Sequence, residues 1–142
     1  MDIDPRGPRF GAVITTVVLA LVLVTGSVWL LAAQAGVFAV GALAGLRYAP
    51  YGLLYRRFVR PRLGPPAHTE AEAPPRFSQG MGMVIAALGV VCYAAGATLG
   101  GMVFTALALA AAFLNAAFDL CLGCQVYLFI QNLKGPAVRL GA

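Results

Sequence analysis

Residues 10–46 run for 37 positions without a charged side chain, and no single helix can use such a stretch. At 1.5 Å per residue it would extend about 55 Å, against a bilayer hydrocarbon core of about 30 Å. The run must double back. Its best break is Thr25-Gly26-Ser27, which gives spans at about 10–24 and 28–46; Gln34-Ala35-Gly36 is the weaker alternative. A third apolar span covers about 80–95, and 96–101 can turn the chain into a fourth at about 102–130, closed by Lys134, Gly135 and Pro136. As one helix this last segment would extend about 43 Å, so it must tilt or break, with Gly123 as a candidate break. The expected fold is an all-α integral membrane protein, a bundle of four transmembrane helices in a single domain.

Composition agrees. The chain is 61% hydrophobic and 11% charged, whereas soluble domains average roughly 45–50% and about 25%. No cleavable signal is expected, because the first apolar stretch runs directly into the next. The net charge of +5 does not indicate nucleic acid, since a basic binding groove needs a water-exposed surface. All ten Lys and Arg residues fall in three regions: Arg6 and Arg9; Arg47, Arg56, Arg57, Arg60, Arg62 and Arg76; Lys134 and Arg139. Four spans place these regions on one side and leave two uncharged turns on the other. The positive-inside rule then puts both termini and the 47–79 linker in the cytoplasm.

Within that linker, Tyr51, Leu54, Tyr55, Phe58 and Val59 recur at helical spacing while Arg56, Arg57 and Arg60 fall mostly opposite. This predicts an amphipathic interfacial helix over about 51–60, started by Pro50 and stopped by Pro61, with Arg47, Arg56, Arg57 and Arg60 meeting anionic headgroups or a docking partner. Residues 64–76 read as a flexible connector. Gly41 and Gly45, and Gly96 and Gly100, have close-packing spacing, for which packing within the chain is the expectation. No internal repeat stands out.

Chemistry concentrates in Phe118-Asp119-Leu120-Cys121-Leu122-Gly123-Cys124. Cys-x-x-Cys puts two sulfurs one helical turn apart, within reach of a disulfide if the helix begins or distorts there, and a helix N-terminus favours the reactive thiolate. Redox exchange, inert packing and metal binding across an interface all fit such a pair. Asp119 would face away from the thiols in a continuous helix. It serves either as interhelical glue with Asn115 or as the cap of a new turn carrying Cys121. Cys92 stands alone, in core packing near mid-membrane. His68 is the sole histidine, so no classical zinc or bis-histidine haem set exists within the chain, no metal site is expected within it, and the residues leave any cofactor unknown. The candidate catalytic residues are Cys121, Cys124 and Asp119.

These motifs, together with Arg47-Tyr48-Ala49-Pro50, Arg60-Pro61, Pro75-Arg76-Phe77 leading to Gly80, and Tyr127, resemble a bacterial membrane family, domain of unknown function 4395, over nearly the whole chain. In architecture, though not in motif, the chain is also similar to small four-helix proteins of the DoxX type. The resemblance implies a multi-pass protein of the bacterial plasma membrane. Association of such proteins with thioredoxin-like proteins and sulfurtransferases implies thiol or sulfur metabolism. The leading expectation is a thiol–disulfide or sulfur-relay protein using Cys121 and Cys124 with a cytosolic thioredoxin-like or sulfurtransferase partner. The alternatives are a non-catalytic assembly or packing subunit and a small-solute transporter lined by Gln34, Asn115, Asp119 and Gln125. The pattern does not fix an oligomeric state.

Overall fold

The computed structural model of the chain describes residues 2–4 and 6–133; the stop expected at Lys134-Gly135-Pro136, and Arg139, lie outside them. Helix α1 (Arg6–Thr25) ends at Gly26, whose φ of 67° is the left-handed conformation that glycine adopts without strain. Ser27 opens α2 (Val28–Ala39) by accepting the Leu30 backbone N–H at 3.2 Å. The chain then widens into a π-helical turn, Val40–Ala44, and passes through a 3-10 turn, Leu46–Tyr48. Two short helices follow, α3 (Pro50–Leu54) and α4 (Arg60–Leu63), joined through a π-helical turn, Tyr55–Val59. The remaining helices are α5 (Ala73–Ala94), α6 (Thr98–Phe118) and α7 (Leu122–Leu133). The protein is thus all-α. Among the described residues three helices, α1, α5 and α6, are long and apolar enough to cross a membrane, and Val28–Ala44 is a shorter apolar helix.

Three boundaries differ from the sequence reading. Helix α5 begins at Ala73 and takes in Pro74, Pro75 and Arg76, so the connector is shorter and less loose than expected. Prolines are well tolerated there, because the first turn of a helix has no use for their missing N–H. What remains of the connector is held by strand β2 (Glu70–Ala71), antiparallel to β1 (Asp2–Ile3). Pro61 does not stop the linker helix. Its lost N–H is accommodated by the wider turn before it, and helicity continues to Leu63, ahead of Gly64. The 102–130 segment, finally, is two helices.

The buried core is Leu19 and Val22 of α1, Leu31 and Phe38 of α2, Ala86 of α5 and Ala108 of α6. Most other large apolar side chains lie outside, Val24 and Trp29 each 83% exposed, a surface suited to lipid and not to water. Lipid supplies no hydrophobic force between helices, so contact depends on close approach at small residues. A Cβ on Gly89 would come within 2.9 Å of Leu31, and one on Gly101 within 2.7 Å of Tyr93. The spaced glycines also act inside the chain. Gly41 faces Gln79 and Gly100 faces the sulfur of Cys92.

The packing repeats one plan in the two halves of the chain, a repetition that the residue pattern conceals. Each half opens with a two-residue strand, β1 or β2, and these pair with each other, Asp2 with Ala71 and Ile3 with Glu70. An acidic residue ion-paired to a first-turn arginine follows, Asp4 to Arg6 and Glu72 to Arg76. Pro8-Arg9-Phe10 in α1 is matched by Pro75-Arg76-Phe77 in α5. Each long helix ends at a left-handed glycine, Gly26 or Gly96. Each returning helix is followed by a short helical segment whose tyrosine meets the phenylalanine of the same half: Phe10 with Tyr55, ring centres 5.7 Å apart, and Phe77 with Tyr127, 5.5 Å apart. The arginines cross over. Arg9 Nε donates to the Ala116 carbonyl near the end of α6 at 3.2 Å, while Arg76 donates to the Ala42 and Leu43 carbonyls at the end of the α2 segment at 2.7 and 2.9 Å. Each satisfies carbonyls that a helix C-terminus leaves free.

Candidate functional site

Helix α6 ends because Asp119 takes a left-handed conformation, φ 56°, the one positive φ at a non-glycine among the described residues. Aspartate is one of the few residues with a side chain that visits this region routinely. The Asp119 N–H still reaches Asn115 O at 3.1 Å, and Leu120 N–H closes back on Leu114 O at 3.2 Å. Helix α7 then starts at Leu122 with Cys121 in the capping position. Gln125 N–H donates to Cys121 O at 3.0 Å, the first bond of the new helix, and Cys124 N–H points at the Cys121 sulfur at 3.1 Å. The sulfur therefore sits where serine or aspartate usually caps.

Cys121 and Cys124 are joined as a disulfide across this first turn, their Cα atoms 5.2 Å apart. Both are half-buried. The break that permits the pairing falls at 119–121. Gly123, the expected break, instead lies buried inside α7. Its task is close approach: a Cβ there would come within 2.6 Å of the Cα of Ser78 on α5. Asp119 is exposed, and among the described residues its carboxylate has no hydrogen-bond or ion-pair partner. It ends the preceding helix and neither bonds Asn115 through its side chain nor caps α7.

Cys92 is a free, half-buried thiol. With α5 starting at Ala73, Cys92 lies near the far end of that helix and not at its middle, about 28 Å of helical rise from the start. Ser78, beside the disulfide, lies about 21 Å below it along the same helix. Those distances exclude any direct exchange between Cys92 and the pair.

The arginines occupy the same end of the bundle. Arg56 donates to the Arg47 carbonyl, Arg47 and Arg57 lie over the rings of Tyr48 and Phe58, and Arg60 approaches Asp4 at 3.9 Å. Asp4 is the hub that the sequence reading missed. Its side chain is 8% exposed; it accepts from Arg6 Nε and Nη2, each at 3.1 Å, and from the Tyr55 hydroxyl at 2.9 Å. Burial pushes this carboxyl up, but the bonds from Arg6 and Tyr55 and the Arg6 charge more than offset it, holding Asp4 below the usual carboxylate range. Burial, then the bond to Asp4, raises the Tyr55 phenol. Tyr55 is 2% exposed and packs with Tyr51 against α1 at ordinary contact distance. A Cβ on Gly7 would lie 3.7 Å from Tyr55, and one on Gly11 3.5 Å from Tyr51. Gly7 and Gly11, set against Tyr51 and Tyr55 at the same i, i+4 spacing, were the available sequence signal.

Among the described residues no group of three or more His, Cys, Asp and Glu is arranged to hold a metal ion. A family model described as Domain of unknown function (DUF4395) matches residues 3–132. No curated protein and no solved structure matches the chain.

Proposed function

The chain belongs to the DUF4395 family, and from that premise we propose that it is a four-span protein of the bacterial plasma membrane whose Cys121–Cys124 pair exchanges electrons with a soluble thioredoxin-like or sulfurtransferase partner at its basic, cytoplasmic end. The observation that carries this reading is the disulfide itself, closed over the first turn of a helix with a backbone N–H aimed at the sulfur of Cys121. In the reduced pair that N–H and the start of the α7 dipole favour the Cys121 thiolate, which makes Cys121 the nucleophile.

The exchange balances as follows. Cys121 thiolate attacks one sulfur of an oxidised partner's disulfide, forming a mixed disulfide and releasing the other partner sulfur as a thiolate. Cys124 loses its proton to solvent and attacks the sulfur of Cys121, closing the Cys121–Cys124 bond and releasing the second partner thiolate. Two electrons pass from the pair to the partner; with a reduced partner the same steps run in reverse. Asp119 is a positioning residue here, since its left-handed turn is what starts a new helix at Cys121.

Val28–Ala44 supplies the second of the four spans, about 25 Å long if wholly helical, which lies within the range of short transmembrane helices. The exposed Trp29 then anchors the outer interface. Residues 50–63 lie along the inner surface, with exposed Leu53, Leu54 and Phe58 toward lipid and the arginines among anionic headgroups.

Alkylation of membranes with and without oxidant, read by mass spectrometry, tests the proposal. Cys124→Ser should trap a mixed disulfide on Cys121, Cys121→Ser should trap none, and Cys92→Ser should behave as wild type. Should Cys121 and Cys124 keep one redox state under every treatment, the pair is a staple fixing the start of α7 and the packing-subunit reading replaces this one.

A further inference from the structure

The short helices of the first half stand off from α1 enough to leave a cavity of about 260 Å³, bordered by Asp4, Gly11, Arg47, Tyr51, Arg56 and Gln79 among others. It is below the roughly 300–1,000 Å³ of sites for drug-sized molecules but ample for a small ion with its waters. Its floor is polar. The Tyr51 hydroxyl reaches into the bundle to donate to Gln34 Oε1 at 2.7 Å, and Gln34, 1% exposed, donates to Thr15 at 3.4 Å. Gln34 does not itself border the cavity; its two bonds pair its buried amide and fix the Thr15 and Tyr51 side chains that do.

The walls fix the sign of the charge. Arg47, Arg56 and Arg60 line the cavity with one carboxylate, Asp4, and that carboxylate already holds Arg6 and the Tyr55 hydroxyl. Arg47 and Arg56 have no ion-pair partner among the described residues, and the Gln79 amide has no hydrogen-bond partner there. Arg56 uses one donor on the Arg47 carbonyl, but the remaining guanidinium donors and the Gln79 amide border the cavity with Asp4 as its one carboxylate, a donor-rich lining of the kind that planar forks and amides present to a tetrahedral oxyanion. Gln79 also follows Ser78, on which Gly123 packs, so the cavity and the disulfide turn meet consecutive residues of α5. In the repeated plan the two are counterparts. Each lies where a short helix crosses the start of a long one.

We propose that this cavity is a binding site for a phosphate-type oxyanion, either the headgroup of an anionic lipid or a free anion, held by Arg47, Arg56 and Gln79. The proposal goes beyond the thiol chemistry and does not depend on it. Thermal unfolding of the full-length protein in neutral detergent, followed by circular dichroism, tests it with two pairs of probes: inorganic phosphate against chloride at matched ionic strength, and short-chain phosphatidic acid against phosphatidylcholine. Saturable stabilisation by phosphate identifies a free-anion site; stabilisation by phosphatidic acid alone identifies a headgroup site. Either result supports the proposal when Arg47→Gln and Arg56→Gln each weaken the apparent affinity about tenfold, as loss of a charge-assisted hydrogen bond does, while Arg57→Gln, which removes only a general surface charge, changes it by less than about twofold. Arg57 removes the same charge from the same segment but does not border the cavity. All three arginines are exposed, so the variants keep their fold, which unfolding without probe verifies. Stabilisation by neither probe, or equal weakening in all three variants, overturns the proposal; the latter is the behaviour of diffuse surface charge.

Discussion

At the scale of single residues, Asp4 decides how the start of the chain is held. Its carboxylate joins Arg6, Arg60 and Tyr55, and Arg6 passes on to the Gly64 carbonyl at 2.8 Å, so one ion ties β1 to the end of the linker helix. Because the folded pKa of Asp4 lies below the ordinary value of 3.8, its contribution is complete above that value and is lost as pH falls through the folded one. Tyr55 has the opposite sign: its raised pKa keeps the phenol protonated beyond the ordinary 10.0, and its contribution is lost only as pH rises past the folded value. Protection factors for hydrogen exchange at residues 2–4 and 64–71, normalised to the intrinsic rate at each pH, should be high across neutral pH and fall in acid below about 4. Asp4→Asn should remove the acid limb of that profile. A profile unchanged in the variant would mean that Asp4 is not the hub. Little of this was legible in the sequence, because Asp4 looks like one polar residue of a short leader paired at most with the nearby Arg6, and Tyr55 lies 51 positions away. Asp119 illustrates the converse difficulty. The motif marked it as important, but as chemistry; that it ends a helix could be recognised only from its backbone.

At the scale of elements, the long apolar helices were the most legible, since length, the Thr25-Gly26-Ser27 turn and the absence of charge all follow from local composition. The short helices were legible in part. The spacing of Tyr51 and Tyr55 announced α3, but the sequence does not show that Gly7 and Gly11 receive those rings, because the match lies between two segments and in neither alone. The placement of α7 depends on one contact. A methyl group on Gly123 would overlap Ser78, so Gly123→Ala should lift the first turn of α7 from α5, at a cost of about 1–3 kcal/mol typical of overpacking. The check is thermal unfolding together with the rate at which Cys121 and Cys124 are alkylated after reduction; both should increase in susceptibility. Because the overlap is with the Ser78 Cα, Ser78→Gly should not rescue it. Unchanged unfolding and unchanged alkylation in Gly123→Ala would show that the contact does not hold the helix.

At the scale of the whole molecule, the described charged residues gather at one end of the bundle, with the uncharged turns at Gly26 and Gly96 at the other. Charge counting anticipated the arginine side of this asymmetry. It did not anticipate that Arg9 and Arg76 are occupied with helix carbonyls, each reaching into the opposite half. That exchange makes each half the completion of the other. Two chains covering residues 1–66 and 67–142, produced together, should therefore assemble into a complex that copurifies through a tag on either piece, whereas neither should accumulate alone. Independent accumulation of one piece would show that the halves are self-sufficient. Both halves also enter and leave the bundle at the same end, yet what they carry differs: the short helix of one begins at a pair of cysteines, and that of the other holds a tyrosine beside an arginine-rich hollow. A symmetric dimer must show any feature on both sides of its axis. A plan repeated within one chain is free of that rule, so one small architecture holds two different tools.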